Sequence, residues 1–157
     1  MKGPITVQLP DLAATGRLAA HLAPAARPGD ALLLEGPLGA GKSAFARAFL
    51  RTLSGDPALE VPSPSYTLVQ SYDLPGGRVA HHFDLYRLSG PAGLAELGWE
   101  EAREGILLVE WPDRLGALRP AGAEALTLAL ALAAGEAETA RVATLSGWPD
   151  RLEGLLA

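Results

Sequence analysis

Several residue types are rare in this chain of 157 residues or missing from it. It has no cysteine, which excludes disulfides and thiolate metal sites. It has no asparagine, which excludes the N-K-x-D stretch that commonly recognises guanine. Lysine occurs only at positions 2 and 42, although the chain has thirteen basic residues. Because all basic residues of the chain except Lys2 and Lys42 are arginine, Lys42 indicates a position that requires a compact ammonium group.

The charge pattern and the apolar runs exclude two further classes of protein. The formal net charge is −5, and no arginine-rich stripe is interleaved with aromatic residues, so we do not expect the chain to bind nucleic acid by its own electrostatics. The first residues contain no apolar signal core, and the most apolar run, residues 126–134, is too short to cross a bilayer. These features predict a cytoplasmic protein with no membrane partner.

Apolar periodicity predicts an α/β protein, and the length predicts one domain over residues 1–157. The predicted strands are residues 5–9, 31–35, 67–74, 78–85, 106–110, 126–132 and 141–145. The third and fourth form a hairpin around residues 75–77, and the last two form another across residues 134–135. The predicted helices are residues 11–22, 43–53, 91–103 with a break at Gly98, and 150–156. The last belongs to a peripheral C-terminal segment, residues 148–157.

The segment GPLGAGKS, residues 36–43, matches the P-loop pattern G-x-x-x-x-G-K-[ST] without a mismatch. Its glycines let backbone N–H groups turn toward a phosphate, and the N-terminus of the following helix adds positive potential. We expect Lys42 to reach the β- and γ-phosphates of ATP and Ser43 to ligate Mg²⁺. The nucleotide is expected to contact this loop at Gly36, Leu38, Gly39, Ala40, Gly41, Lys42, Ser43 and Ala44.

Two acidic residues are candidates for supporting the Mg²⁺. Glu110 ends the apolar run ILLVE and is expected to hold the metal through water, while Asp84 follows HHF and either shares the metal shell or orients the attacking water. Arg87 either neutralises phosphate charge or forms a surface ion pair. The candidate catalytic residues are therefore Lys42, Asp84 and Glu110, and the candidate metal ligands are Ser43, Asp84 and Glu110.

The pentapeptide WPDRL occurs twice, at residues 111–115 and 148–152. Proline followed by aspartate commonly starts a short helix, and we assign that role to the second copy alone, with Trp148 in the core. In the first copy, Trp111 directly follows Glu110. Trp111 therefore either contacts the nucleotide and senses its presence, or fills the end of the sheet as a buried aromatic.

The two histidines of the run HHFD differ in their expected positions. Adjacent residues of a strand point to opposite faces, so His81 and His82 cannot chelate one ion together. Only His82 shares a face with Asp84 and is a candidate for lining the site. The preceding loop carries Ser65 and Thr67, whose hydroxyls either contact the metal or the γ-phosphate or cap turns.

Four motifs in this order give the chain a resemblance to the TsaE (YjeE) family: GPLGAGKS, SPSYTLV at 63–69, HFDLYRL at 82–88 and VEWPDR at 109–114. The resemblance covers about residues 5–145, and HFDLYR and EWP are more specific than the P-loop, which many families share. The family comprises small bacterial ATPases of tRNA threonylcarbamoyladenosine synthesis. The resemblance implies a single P-loop NTPase domain with a mixed β-sheet, flanking helices and two antiparallel hairpins.

The resemblance also implies partners and site residues. The family's ATPase acts with the TsaB–TsaD pair, which transfers a threonylcarbamoyl group to adenosine 37 of tRNA, so tRNA is an indirect partner. The SPSYTL loop falls on the family's switch-like segment. The family's nucleotide and metal positions fall on Lys42, Ser43, Asp84, Glu110 and Trp111.

The chain departs from the family pattern at a few positions. Aspartate is usual where Pro37 stands, and threonine pairs are usual where Ser43-Ala44 and Ser65 stand. Serine keeps the hydroxyl, so metal binding is expected to survive.

We expect an ATPase that is weak alone, is stimulated by its partners and uses ATP and Mg²⁺. A small-molecule kinase is the first alternative, although such kinases need a substrate pocket and an arginine-bearing lid, and here a loop and a hairpin follow the P-loop helix directly. A nucleotide-binding scaffold without hydrolysis is the second. The two carboxylates speak against it, because binding alone does not require them.

Overall fold

Seven segments of the described residues, among them the apolar runs 31–35 and 106–110, form the strands of one mixed sheet. The computed structural model describes residues 3–133 and 138–156. The strands are β1 (Ile5–Leu9), β2 (Ala31–Glu35), β3 (Val69–Asp73), β4 (Val79–Asp84), β5 (Ile106–Glu110), β6 (Ala125–Leu132) and β7 (Arg141–Gly147). Their order across the sheet is β1-β7-β6-β2-β5-β4-β3.

The centre of the sheet is parallel and its margins are antiparallel. Strands β6, β2, β5 and β4 are parallel neighbours. Strand β3 pairs antiparallel with β4, β7 pairs antiparallel with β6, and β1 pairs antiparallel with β7. The mixed sheet and both predicted hairpins are confirmed. The predicted turn at residues 134–135 lies outside the described residues.

The described residues form four α-helices, and the sequence provides a cap at the start of the first and at the end of the second. They are α1 (Leu12–Leu22), α2 (Lys42–Ser54), α3 (Trp99–Ala102) and α4 (Pro149–Leu156), with short 3₁₀ helices at Ala23–Ala25, Pro75–Gly77, Ala95–Leu97, Pro112–Leu118 and Gly122–Glu124. The Asp11 side chain caps α1 by accepting from Ala14 N at 2.8 Å. Gly55, with φ 72°, ends α2 in the left-handed conformation. Across the described ranges, no helix has the length and apolar character to cross a membrane.

Two apolar layers cover the two faces of the sheet. Within β2, Leu32 and Leu34 face the layer that contains α1, α2 and α4, whereas Ala31 and Leu33 face the layer built from residues 83–115. The predicted stripe of α2, Phe45, Phe49 and Leu53, is buried in the first layer. Helix α2 therefore packs on the same face as the even-numbered side chains of the central strands.

Several predicted elements differ from the observed ones at their ends, and in two cases left-handed residues explain the difference. Residues 91–103 do not form one helix, because the left-handed Gly93 (φ 92°) and Gly98 (φ 77°) leave only a 3₁₀ turn and the short α3. The break at Gly98 is confirmed. The strand predicted at 67–74 begins only at Val69, because Leu68 has a left-handed φ of 68°.

The two WPDRL copies have the same local design. Trp148 is fully buried, as predicted, and α4 starts at Pro149, one residue before the predicted start. The first copy also starts a helix, the 3₁₀ helix Pro112–Leu118, which the assignment to the second copy alone did not include. In both copies the tryptophan has a positive φ, 62° at Trp111 and 42° at Trp148.

Candidate nucleotide site

The predicted site residues meet at the carboxyl end of the parallel strands. Strand β2 leads into the P-loop, β4 ends at Asp84 and β5 ends at Glu110. Glu110 pairs with Leu34 on one side and with Asp84 on the other. Because carboxyl ends of neighbouring parallel strands lie at one edge, the sheet itself brings the two carboxylates to the start of α2.

A cavity of about 330 Å³ opens at this edge, a volume sufficient for a small ligand. Its lining residues are Leu38, Gly39, Gly41, Lys42, Ser43, Ala44, Ser63, Ser65, Asp84, Tyr86, Glu110 and Trp111. Two residues predicted to contact the nucleotide, Gly36 and Ala40, do not line it. Two residues not assigned from the sequence, Ser63 and Tyr86, do.

The P-loop conformation depends on its first glycine. Gly36 has φ 142°, and a Cβ at this position would lie 2.5 Å from the Leu130 carbonyl oxygen of β6. Any other residue would therefore push the loop away from the sheet. Gly36 contributes its carbonyl, which accepts a hydrogen bond from Lys42 Nζ, and Ala40 N donates to the Pro37 carbonyl at 3.1 Å. Gly36 and Ala40 therefore hold the loop together behind the cavity.

Lys42 is buried and lies against an aromatic ring. Its Nζ is 3.4 Å from the centroid of the Trp111 ring. Burial lowers the pKa of the Lys42 ammonium, while the charges of Glu110, Asp84 and Asp113 oppose that change. The ring of Tyr86 lies 4.9 Å from that of Trp111. Trp111 is partly buried and also lines the cavity.

Glu110 is the most closely connected acidic residue of the site. Ser43 Oγ donates to its two carboxylate oxygens at 3.1 and 3.3 Å. His82 Nε2 lies 2.7 Å from Glu110 Oε2, and the side chains of this pair are only 1% and 3% exposed. The structure therefore brings together the Ser43 hydroxyl and the Glu110 carboxylate, both predicted to support the metal. It also places the imidazole of His82 against Glu110, whereas the sequence indicated only that His82 shares a face with Asp84.

Asp84 contacts the loop that precedes β3. Its Oδ1 accepts from Tyr86 N at 3.1 Å, and its Oδ2 lies 3.5 Å from Ser65 Oγ, which is 2.8 Å from Ser63 Oγ. Burial raises the pKa of the Asp84 carboxyl; the hydrogen bond from Tyr86 opposes the shift, and the charge of Glu110 adds to it. Asp84 thus joins the strand end to the serine-containing loop.

The oxygen donors of the site fit Mg²⁺. A serine hydroxyl and two carboxylates are the hard ligands that this ion takes, and Mg²⁺ usually completes its shell with water and substrate phosphates. Within residues 3–133 and 138–156, no group of three or more His, Cys, Asp or Glu side chains is arranged to hold a metal. A Mg²⁺ bound by Ser43 and these carboxylates would thus depend on the phosphates of a nucleotide for further ligands.

The other candidate residues lie outside the cavity. His81 Nδ1 is 2.7 Å from Ser71 Oγ on the opposite face of β4. Thr67 Oγ1 accepts from Gln70 Nε2 at 3.0 Å, a contact between two side chains. The Arg87 guanidinium lies 5.3 Å from the Tyr66 ring. Arg141, which the sequence did not single out, donates to the P-loop carbonyls of Ala40 and Gly39. Because these partners lie 101 and 102 residues earlier in the chain, no local sequence pattern indicates the contact.

Comparisons with known proteins agree on one family. A sequence model described as "Threonylcarbamoyl adenosine biosynthesis protein TsaE" matches residues 9–142. A Rickettsia felis protein named "tRNA threonylcarbamoyladenosine biosynthesis protein TsaE" is 40% identical over 100 residues, which are 63% of this chain and 57% of that protein. An Aquifex aeolicus protein of the same name is 36% identical over 100 residues, 64% of this chain and 71% of that protein. The chain thus spans less than two thirds of the length of the Rickettsia felis relative.

A solved structure matches nearly the whole chain. A crystal structure of YdiB from Bacillus subtilis superposes with a TM-score of 0.73 and 28% sequence identity, and the match covers 99% of this chain and 93% of that one. The likeness confirms the predicted α/β fold with a mixed sheet and flanking helices.

Proposed function

Since the chain belongs to the TsaE family, we propose that it is a Mg²⁺-dependent ATPase that acts in tRNA threonylcarbamoyladenosine synthesis in the cytoplasm. In this proposal, ATP hydrolysis switches the conformation of a complex with the TsaB and TsaD proteins, and tRNA is contacted only through that complex. The net charge of −5 supports an indirect contact with tRNA, because a protein that binds tRNA directly needs a basic surface.

The observation that carries the ATPase part is the arrangement of one ammonium, one hydroxyl and two carboxylates around a single cavity: Lys42, Ser43, Asp84 and Glu110. Phosphoryl transfer from ATP needs a cation on the β- and γ-phosphates, a metal-binding hydroxyl and a group that orients the attacking water. Mg²⁺, when bound, supplies additional charge neutralisation on the same phosphates. The four side chains meet each of these needs.

We assign different tasks to the two carboxylates. Glu110 shares the Ser43 hydroxyl, so its oxygens are well situated to hold the water shell of a metal that Ser43 ligates. Asp84 contacts Ser65 instead and is assigned to the attacking water. Because burial raises the pKa of Asp84, its carboxylate is a stronger base than an exposed aspartate and better suited to accept a hydrogen bond from that water.

The test is ATP hydrolysis by the purified chain with Mg²⁺, measured alone and after addition of TsaB and TsaD. We expect slow turnover alone and faster turnover with the pair, together with co-elution of the three proteins. The variant K42A should lose ATP binding, because the buried phosphate charge loses its ammonium partner.

Four other outcomes would contradict the proposal. Unchanged turnover with no co-elution would remove the partner-driven switch. Transfer of the γ-phosphate to a small molecule would favour a kinase, and ATP binding without any hydrolysis would favour a scaffold. Normal ATP binding by K42A would show that the nucleotide site lies elsewhere.

A further inference from the structure

Arg141, the first residue of β7, is connected to the back of the P-loop. Its Nε donates to the Ala40 carbonyl at 2.9 Å, and its Nη2 donates to the Gly39 carbonyl at 3.0 Å. Its Nη1 donates to the carbonyls of Glu138 and Ala140 at 2.7 and 2.8 Å. The guanidinium therefore spans from its own strand end to the loop of the candidate nucleotide site.

The two loop contacts fix two successive peptide planes. A trans peptide has its C=O and N–H on opposite edges, so holding a carbonyl from one side directs the following N–H to the other. With the Gly39 carbonyl held, the Ala40 N–H faces the Pro37 carbonyl, to which it donates at 3.1 Å. With the Ala40 carbonyl held, the Gly41 N–H faces away from Arg141, and Gly41 lines the cavity.

The chemistry of arginine suits this task better than that of lysine. The guanidinium is a rigid planar fork whose donors meet two carbonyls in fixed directions, whereas an ammonium is a point charge on a flexible stem. Among the described residues, the hydrogen-bond acceptors of Arg141 are all backbone carbonyls. The positive charge of Arg141 behind the P-loop also favours the binding of an anion in the cavity on the other side of the loop.

We propose that Arg141 is a positioning residue for nucleotide binding, which orients the P-loop so that the Gly41 N–H meets the β-phosphate of ATP or ADP. This inference rests on the nucleotide site proposed above and deepens it. Arg141 touches the loop carbonyls and acts on the phosphate only through them.

The experiment measures the Kd of Mg–ADP by calorimetry for the full chain and for the variants R141Q and R141K, with thermal unfolding of each without nucleotide. ADP is chosen because its β-phosphate is bound without turnover. Arg51 provides the matched control, since its Nε also donates to a backbone carbonyl, that of Leu59 at 2.9 Å, away from the loop. We expect R141Q to raise the Kd by about tenfold or more, since it removes two hydrogen bonds from a charged donor.

The remaining variants separate positioning from charge and from folding. R51Q should leave the Kd within about twofold of the original, and R141K should bind closer to R141Q than to the original chain, because an ammonium cannot hold both peptide planes. Recovery of full affinity in R141K would reduce the role to charge and overturn the proposal. A lower unfolding temperature of R141Q with unchanged Kd would show a structural role only. If the original chain itself does not bind Mg–ADP, the proposed nucleotide site is wrong. If the original chain and R141Q both bind Mg–ADP tightly, only the role of Arg141 is contradicted.

Discussion

The imidazole of His82 and the carboxylate of Glu110 form a buried pair, with Nε2 and Oε2 2.7 Å apart. A carboxylate that supports Mg²⁺ is ionised and only accepts hydrogen bonds, so in the proposed site His82 Nε2 donates to Glu110. The Glu110 carboxylate also accepts a hydrogen bond from the Ser43 hydroxyl. His82 therefore fixes the direction of the carboxylate relative to the residue proposed to ligate Mg²⁺.

Replacing His82 should impair catalysis through Glu110. The variant H82L removes the donor and leaves the carboxylate free to turn, so we expect partner-stimulated ATP hydrolysis to fall about tenfold to a hundredfold, as is typical for groups that orient metal ligands. The Mg²⁺ concentration for half-maximal rate should rise in parallel. The conservative H82Q retains an N–H donor and should recover part of both values.

The adjacent histidine provides the control for this prediction. His81 points to the opposite face of β4, where it contacts Ser71, so H81Q should hydrolyse ATP at the original rate and require the same Mg²⁺ concentration. Equal losses in H82L and H81Q would indicate damage to the strand and not to the site. An unchanged Mg²⁺ requirement in H82L would contradict the link to the metal.

The hydroxyl of Ser43 should be essential, whereas the additional methyl group of a threonine at this position should not matter. In S43A the Glu110 carboxylate loses the donor at 3.1 and 3.3 Å, and the metal loses its direct ligand, so we expect hydrolysis to fall by more than about tenfold. S43T keeps the hydroxyl and should retain most of the activity. The two variants should be compared by a titration of Mg²⁺ at saturating ATP; equal activity of S43A and S43T would show that the hydroxyl does not hold the metal.

The parts of the fold that local sequence determines were predictable. Strands β1, β2 and β5 begin and end at the predicted residues. Strands β2 and β5 are short apolar runs, β1 alternates apolar and polar residues, and turn residues bound all three. The segment 91–103 was predicted only in part, because the break at Gly98 was expected whereas the left-handed conformation of Gly93 was not. Local pattern thus predicts elements best where no glycine interrupts them.

The site follows the same division. The P-loop pattern and the acidic residues at strand ends predicted that Lys42, Ser43, Asp84 and Glu110 would meet, since neighbouring parallel strands share an edge. The sequence left the tasks of the two carboxylates open, because these depend on which hydroxyl each one contacts. The support from Arg141 was not predictable, since its partner Ala40 lies 101 residues earlier and no periodic pattern joins them.

The stability of the chain should depend on pH through His81. Burial lowers the pKa of the His81 imidazole below its ordinary value, so the unfolded chain takes up this proton at a higher pH than the folded chain does. The neutral His81 imidazole therefore makes its full contribution to the free energy of unfolding above about pH 6.5, the unperturbed pKa of histidine. This contribution is lost as the pH falls from there through the pKa of the folded state. Removing the imidazole should remove this component.

The measurement compares urea unfolding of the original chain and of H81Q at several values between pH 8 and pH 5. The free energy of unfolding of the original chain should fall more steeply toward acid than that of H81Q. Parallel curves would show that His81 has the same proton affinity in both states.

The bidentate pair between Arg151 and Asp30 should hold α4 against the start of β2. Arg151 Nη1 and Nη2 donate to the Asp30 carboxylate at 2.6 and 3.0 Å, and the Asp30 side chain is only 4% exposed. The variant R151M removes the cation and leaves a buried carboxylate without its main partner, so we expect a loss of about 3 kcal/mol in the free energy of unfolding.

A more exposed pair offers the control. Arg119 donates to Glu35 at 2.9 Å, with side chains 32% and 39% exposed, so R119M should lose less than about 1 kcal/mol. Urea unfolding measures both, and an unchanged dependence on urea concentration shows that the variants unfold in the same way. Equal losses in the two variants would mean that solvent screens the Arg151–Asp30 pair as well, and that α4 is held instead by the burial of Leu152 and the Trp148 ring.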